Sequence, residues 1–408
     1  MKNIELLGLS LITAALVMTT GCSDDDDKDS GPSAPSEFTK GVELNTSVTT
    51  NAMALISSAM DNAMSKLAPS RLAPKMSATK IARSSESEDS SITTPCEVSG
   101  SYTYERVYTT TGDHEDQPDE SWSEKRHNSI SYDNCVDNYS GVNFIGESLD
   151  QVVRNGVGWD EGPIDSYREY NKDSNRSKQE ISGSMNYSEV YRSSTTKATI
   201  TTLFDLSYRQ KIAYDGTDLD RDDINISHET TENGTMELYQ TNAAGERIAG
   251  VGERVVYGDI RFTGEQIATA SKTTTVSDMN GFAAAYETNS TGEHVVSGKY
   301  YNNYHVGTVK VGDEQNTTVS GTIGGSCLGG SVTVAVDPVI RDNEVIYGED
   351  QLPYAGKATL TGSNAATITF SVVSETPPKT QATVQVDDGP LTQFDDWASL
   401  ATGECQDD

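Results

Sequence analysis

The sequence predicts a mostly β protein, and three observations lead to that prediction. Apolar and polar residues alternate through most of the chain after residue 96, which is the period of a strand with one buried face. Turn-forming pairs, Asn233-Gly234 and Asn302-Asn303, separate alternating runs as in β-hairpins. Strand and helix signals do not alternate as they would in a parallel sheet. We therefore expect a large antiparallel meander or barrel-like sheet, with one N-terminal amphipathic helix and a smaller C-terminal β module.

The N-terminus has the order of parts found in an export signal. Lys2 is followed by an apolar stretch over residues 6–18 and by the small-residue sequence Thr19-Thr20-Gly21-Cys22. The stretch falls short of the roughly 20 residues that span a bilayer, which argues against a transmembrane helix. This pattern resembles the lipobox of bacterial lipoproteins, although Thr19 stands where that family usually has Leu. The resemblance implies that residues 1–21 are a signal peptide and that Cys22 is acylated. An ordinary secretory signal that ends near a cysteine is the alternative.

Residues 22–36 are predicted to form an acidic tether. Four consecutive aspartates, at positions 24–27, give the segment too much charge and too little apolar surface to fold. In bacterial lipoproteins, Ser after the acylated cysteine, here Ser23, is compatible with sorting to the outer membrane. An acidic cluster there resembles the surface-export signals of some lineages, with a plain solvated spacer as the alternative. The resemblance thus implies an outer-membrane lipoprotein of the bacterial cell envelope and leaves two orientations open, towards the cell surface or towards the periplasm.

Charge excludes several classes of partner. The chain has 62 acidic against 30 basic residues and a net charge of −32. Such a field repels nucleic acid and anionic lipid headgroups, so we exclude DNA, RNA and polybasic membrane contact as functions. The expected contact with the membrane is the lipid anchor, in which each buried methylene contributes about 0.8 kcal/mol.

Four cysteines follow Cys22, and their spacing favours disulfides over a metal site. No two of them are close enough in sequence for a zinc site, and an even number in an exported chain is typical of disulfide bonding. Three pairings are possible, with four reduced thiols as the alternative. We expect the pairings in which each bridge brackets one continuous stretch of strands: Cys96 with Cys135, and Cys327 with Cys405.

One amphipathic helix is predicted within residues 37–68. Apolar residues recur at intervals of three and four from Val48 to Leu67, and Pro69 ends the pattern. Residues 69–95 are polar and rich in proline and serine, so we expect a flexible linker there. The apolar stripe of the helix must be buried, and we expect it to pack on the apolar face that contains Phe204, Leu206, Tyr208 and Ile212.

The β region divides by composition into residues 96–316 and 317–408. The clearest strand is predicted over residues 199–214, where the even-numbered residues share one face. From about residue 317 the aromatic content falls and short Thr/Val-rich strands predominate, which indicates the smaller C-terminal β module.

One acidic loop has partial metal-ligand spacing. Asp218, Asp220 and Asp222 alternate, and Glu229 lies at the twelfth position from Asp218, as in a calcium loop of the EF-hand type. The glycine that such a loop needs at its sixth position is Asp223 here. A solvated acidic hairpin tip is the alternative, and we expect no other cofactor.

The sequence favours binding over catalysis. No nucleophile or histidine cluster has catalytic spacing, and with 62 acids no carboxylate pair is informative. The chain has 19 Tyr against 7 Phe, and tyrosines on strands suit stacking against a glycan or a peptide. We expect a non-catalytic envelope lipoprotein that binds a partner, a glycan or an apolar ligand, or has a structural role. The alternative is a hydrolase of extracellular polymers, glycosidase-like, that uses paired carboxylates.

Overall fold

The computed structural model confirms the predicted fold class, a large antiparallel sheet with few helices. It describes residues 33–67, 87–111, 121–158, 165–171, 173, 176–215, 223–269, 271–289, 292–312, 314–337, 339–341, 352–375, 378–395, 397–401 and 405. The predicted signal peptide and most of the acidic tether lie outside these residues. The helices are α1 (Ser36–Thr39), α2 (Thr46–Lys66) and α3 (Trp397–Leu400), with a 3-10 turn at Ser326–Leu328.

Nineteen strands form one sheet in the described part of the chain. The first nine strands are β1 (Ser87–Pro95), β2 (Ser99–Thr111), β3 (Trp122–Val142), β4 (Ser148–Gly158), β5 (Asp165–Asn171), β6 (Arg176–Arg192), β7 (Thr199–Asp215), β8 (Asp223–Thr241) and β9 (Arg247–Thr269). The others are β10 (Lys272–Asn289), β11 (Gly292–Val311), β12 (Glu314–Gly325), β13 (Gly330–Val336), β14 (Val339–Arg341), β15 (Leu352–Ala355), β16 (Lys357–Thr361), β17 (Ala365–Glu375), β18 (Pro378–Val386) and β19 (Leu391–Phe394).

The strands follow one another as an antiparallel meander. β4 and β5 share one position between β3 and β6, and β13 and β14 share one position beside β12. Among the described residues, β1 pairs only with β2 and β19 only with β18, so the hydrogen-bonded ladder is open. The long strand predicted over residues 199–214 is confirmed as β7, which pairs in unbroken register with β6 and β8.

Two of the predicted domain limits do not coincide with limits of the sheet. The last nine residues of the predicted linker form β1, and all of them pair with β2. Strand pairing uses backbone groups, so a polar sequence rich in Ser and Thr can occupy an edge strand. The predicted boundary between residues 316 and 317 lies inside β12, which pairs with β11 on one side and with β13 and β14 on the other.

The two predicted hairpin turns are wrong. Asn233-Gly234 lies inside β8 and Asn302-Asn303 lies inside β11, and each is next to a register shift. Asn303 has φ of 48° and Gly234 has φ of 128°. Some β-bulges, like tight turns, place a residue at positive φ, and Asn and Gly suit both, so local sequence does not distinguish the two.

Helix α2 is the centre of the larger hydrophobic core. Its residues 52–56 are all buried, and at about 100° per residue they cover the full circumference of the helix. One stripe alone was predicted to be buried. The surrounding side chains come from β9–β13 and β16–β18, and also include Leu328 and Leu400. In the described ranges, no helix combines the length and hydropathy that crossing a bilayer requires.

The predicted packing partner of α2 is also wrong. The helix does pack on the sheet, but its cluster contains Phe262, Tyr304 and Ile323 and none of the residues of β7. Local periodicity shows that a helix has an apolar face but does not show which strands that face meets.

A smaller core lies on the opposite face of the sheet. Phe38 of α1 is fully buried there against Val256, Phe282 and Ala284, and Tyr300 packs on this group. Tyr301, the next residue of β11, packs on the α2 core. Adjacent strand residues point to opposite faces, so the N-terminal segment covers both faces of this part of the sheet.

A candidate binding surface

Strands β1–β8 carry the surface that the helices leave open. Neither hydrophobic core contains a residue of these eight strands, so the described helices do not bury them. Their faces must therefore be covered by their own side chains, by solvent or by a ligand.

Four aromatic side chains form a row across this part of the sheet. Tyr102, Tyr132, Tyr187 and Phe204 come from β2, β3, β6 and β7. Successive ring centroids are 6.0, 5.5 and 6.0 Å apart. Tyr102 is directly opposite Tyr132, and Tyr187 is directly opposite Phe204. All four rings are partly exposed, so the row is a half-open aromatic surface. We call these four residues the aromatic row.

A glycine in β4 lets two of the rings approach each other. Gly156 lies between Tyr132 and Tyr187 in the register of the sheet. It has φ of +90°, and a Cβ atom there would lie 2.0 Å from the carbonyl oxygen of Asn186. No side chain from β4 stands between the two tyrosines, so their rings come to 5.5 Å.

A charged group lies beside the aromatic row. Arg154 is two residues from Gly156 along β4, and Glu189 is two residues from Tyr187 along β6. Arg154 donates from Nε to Glu189 at 2.8 Å and from Nη1 to Asp137 at 2.9 Å. Burial opposes the charge of Arg154, but the hydrogen bond and negative charge of Glu189 outweigh it and raise the pKa of Arg154. Both carboxylates are thus occupied in neutralising one guanidinium.

A second tyrosine pair extends the surface. The rings of Tyr139 and Tyr191 lie 4.5 Å apart. Burial, followed by the charge of Glu189, raises the pKa of Tyr191 to about 12, and burial also raises the pKa of Tyr187. These phenols therefore stay protonated at neutral pH and can donate hydrogen bonds, while the rings offer apolar area.

A separate polar depression lies on β8–β11. The guanidinium of Arg247 lies 4.0 Å from the centre of the Tyr239 ring, and that of Arg254 lies 4.5 Å from the centre of the Tyr286 ring. Each arginine also has an acidic partner, Glu237 for Arg247 and Glu293 for Arg254. Both arginines of this depression are thus paired with acids of the chain, and Glu253 adds a third carboxylate to its lining.

Of the predicted site residues, the structure describes the disulfide cysteines and one of the calcium candidates. Cys96 is bonded to Cys135 and Cys327 to Cys405, which confirms the expected pairing. Asp137 lies near the first bridge, but bonded cysteines offer no thiolate to a metal.

The calcium loop itself lies mostly outside the described residues. These do not include Cys22, Asp218, Asp220 or Asp222. Glu229 is in β8, where its carboxylate is 3.7 Å from Nζ of Lys211. Its calcium role stays a prediction.

Comparisons of the chain with protein-family models, with curated proteins and with solved structures found no match.

Proposed function

We propose that this chain is a lipoprotein of the bacterial envelope, anchored through acylated Cys22, whose aromatic row binds a glycan. The anchor is supported by the sequence of residues 1–22 and by the acidic segment that follows it. On the same grounds we place the protein at the outer membrane, facing outwards.

The aromatic row is the observation that carries the binding proposal. Sugar rings present flat C–H faces that stack on aromatic side chains, and four rings in line suit an extended chain of sugars better than a compact ligand. Tyr102, Tyr132 and Tyr187 also carry hydroxyl groups that can bond to the hydroxyls of a sugar. An apolar ligand would stack on the rings but could not hydrogen-bond to these hydroxyl groups.

The hydrolase alternative receives no specific support from this surface. A glycosidase needs two carboxyl groups that flank the scissile bond, one of them able to donate a proton. Asp137 and Glu189 are the acidic groups next to the row, and both accept hydrogen bonds from Arg154. We therefore assign them to holding Arg154 and make binding the proposal.

The anchor is tested by mass spectrometry of the N-terminal peptide of the purified protein. We expect Cys22 to be the first residue and to carry acyl groups. An unmodified peptide that spans Gly21 and Cys22 would refute the anchor.

Binding is tested by electrophoresis of the full chain through gels that contain soluble polysaccharides. We expect at least one polysaccharide to retard the wild type, and the double variant Tyr132→Ala/Tyr187→Ala to lose roughly tenfold or more in affinity, at about 1 kcal/mol per aromatic contact. The matched control is Tyr132→Phe/Tyr187→Phe, which keeps the rings and should retain most of the affinity. Equal retardation of wild type and alanine variant would remove the row from the binding site.

A further inference from the structure

The connection between β3 and β4 presents two large apolar side chains at its tip. Phe144 is 69% exposed and Ile145 is 52% exposed, and Val142 at the end of β3 is 43% exposed. Exposed apolar residues are common singly, but three at one hairpin tip form a patch that needs an explanation.

The tip is held in one conformation by its own polar groups. Asn143 Nδ2 donates to Glu147 Oε2 at 2.8 Å, and the backbone N–H of Glu147 donates to Asn143 Oδ1 at 2.9 Å. Gly146 takes φ of +85°. The backbone N–H of Phe144 donates to Gln240 Oε1 at 2.7 Å, which fixes the start of the tip to β8.

The connection between β8 and β9 is a second turn with the same construction. Asn242 Nδ2 donates to Glu246 Oε2 at 3.0 Å, the N–H of Glu246 donates to Asn242 Oδ1 at 2.9 Å, and Gly245 has φ of +87°. The two turns touch, because the N–H of Ala243 donates to Glu147 Oε1 at 3.1 Å.

The two turns differ in sequence only at their second and third residues. The first turn reads Asn-Phe-Ile-Gly-Glu over residues 143–147, and the second reads Asn-Ala-Ala-Gly-Glu over residues 242–246. The same hydrogen bonds form with two alanines in the middle, so the turn does not require Phe144 and Ile145. Their exposed apolar surface is therefore available for contact with something outside the fold.

This tip lies at the end of the sheet where the N-terminal chain enters. Val42 and Lys40 hydrogen-bond to Ser331 at the start of β13, and Leu44 hydrogen-bonds to Asn364 between β16 and β17. In an antiparallel meander every second connection lies at the same end, and the β3–β4, β8–β9, β12–β13 and β16–β17 connections all belong to that end. Ser33 is the eleventh residue after Cys22, a segment that spans at most about 40 Å.

We propose that Phe144 and Ile145 insert into the bilayer that holds the acyl chains of Cys22, as a second contact with the membrane. The inference rests on the proposed lipid anchor. A short tether that enters the fold at this end brings the same end towards the lipid surface, where an apolar tip needs no complementary shape. Stable protein interfaces bury about 1,200–2,000 Å², far more than this tip offers. The net charge of −32 selects zwitterionic over anionic headgroups.

The test uses the acylated full chain in phosphatidylcholine vesicles and compares Phe144→Trp with Ala243→Trp, the same position of the matched turn. Lipids brominated in their acyl chains quench only a tryptophan that enters the hydrocarbon. We expect the added fluorescence of Trp at 144 to fall at least twofold and that of Trp at 243 to stay unchanged, each measured against the wild type. If brominated lipids leave the fluorescence of Trp at 144 as high as unbrominated lipids do, the proposal is overturned. A blue-shifted but unquenched signal at 144 overturns it as well, in favour of a protein partner or a second copy.

The melting temperature and the acylation of Cys22 provide two further tests of the proposal. The double variant Phe144→Ala/Ile145→Ala gives the first turn the sequence of the second, so we expect the melting temperature of the wild type. A fall of several degrees would assign the pair to folding and overturn the proposal. If wild-type Cys22 is unacylated, the anchor fails and this inference fails with it. If the acylated chain floats with the vesicles and Trp at 144 stays unquenched, only the inference fails.

Discussion

Single residues decide whether the aromatic row can form. Gly156 and Gly158 both belong to β4, but their backbones differ. Gly156 has the left-handed φ of +90° and lies against the carbonyl of Asn186, whereas a Cβ atom on Gly158 would meet the Tyr187 ring at 3.5 Å, an ordinary contact. Only the first position therefore requires glycine.

We predict that Gly156→Ala destabilises the protein by about 2 kcal/mol or more, because alanine is strained at that φ and its methyl group clashes with the backbone of β6. The matched variant Gly158→Ala should change stability by less than about 1 kcal/mol. Urea unfolding of both variants measures the difference. Equal stabilities would contradict the role assigned to Gly156.

The buried hydroxyl of Tyr304 allows a second prediction about a single residue. Tyr304 is fully buried in the α2 core, and among the described residues its hydroxyl has no hydrogen-bond partner. An unsatisfied buried hydroxyl costs about 1 kcal/mol or more. Tyr304→Phe keeps the ring, so we expect an unchanged or higher melting temperature in calorimetry. A clear loss of stability would show that the hydroxyl is hydrogen-bonded in solution.

At the scale of elements, α2 is the link between distant strands. It contacts residues of β9–β13 and of β16–β18, so its side chains join parts of the sheet that are not neighbours in the hydrogen-bonded ladder. Burying the whole circumference of a helix requires partners on more than one side, which a flat sheet alone does not supply.

We predict that Leu55→Ala destabilises the protein by about 3 kcal/mol, because Leu55 is 1% exposed and the core cannot close the cavity fully. Asp61→Ala, at an exposed position of the same helix, is the control and should change stability by less than about 1 kcal/mol. Denaturant unfolding gives both values. If the two substitutions have the same effect, α2 is not a structural part of the core.

At the scale of the whole molecule, partly buried tyrosines link stability to alkaline pH. Burial raises the pKa of Tyr191, Tyr257 and Tyr301 to about 12. In the unfolded chain these phenols ionise near the ordinary value of about 10. The folded state therefore holds protons that the unfolded state has released, and this difference begins near pH 10.

We expect stability to be independent of tyrosine ionisation below about pH 10 and to fall between about pH 10 and 12. Urea midpoints at a series of pH values measure the fall, and tyrosinate absorbance reports ionisation in the folded protein. Tyr257→Phe removes one of the partly buried groups and should make the fall less steep. A constant midpoint across this range would contradict the raised pKa values.

Local pattern in the sequence determined the fold class, the long strand β7 and the existence of α2, and it favoured the disulfide pairing that the structure then confirmed. These follow from the periodicity of apolar residues within one segment and from the number and spacing of the cysteines. The tertiary structure decided which strands surround α2, because the order of packing depends on the path of the whole sheet. It also decided that Asn233-Gly234 and Asn302-Asn303 are at bulges, since the same φ values serve bulges and turns. Of the aromatic row, the sequence showed only Phe204, which lies on the alternating face predicted for residues 199–214. Tyr102, Tyr132 and the gap at Gly156 joined it only through register, which is set between strands far apart in sequence.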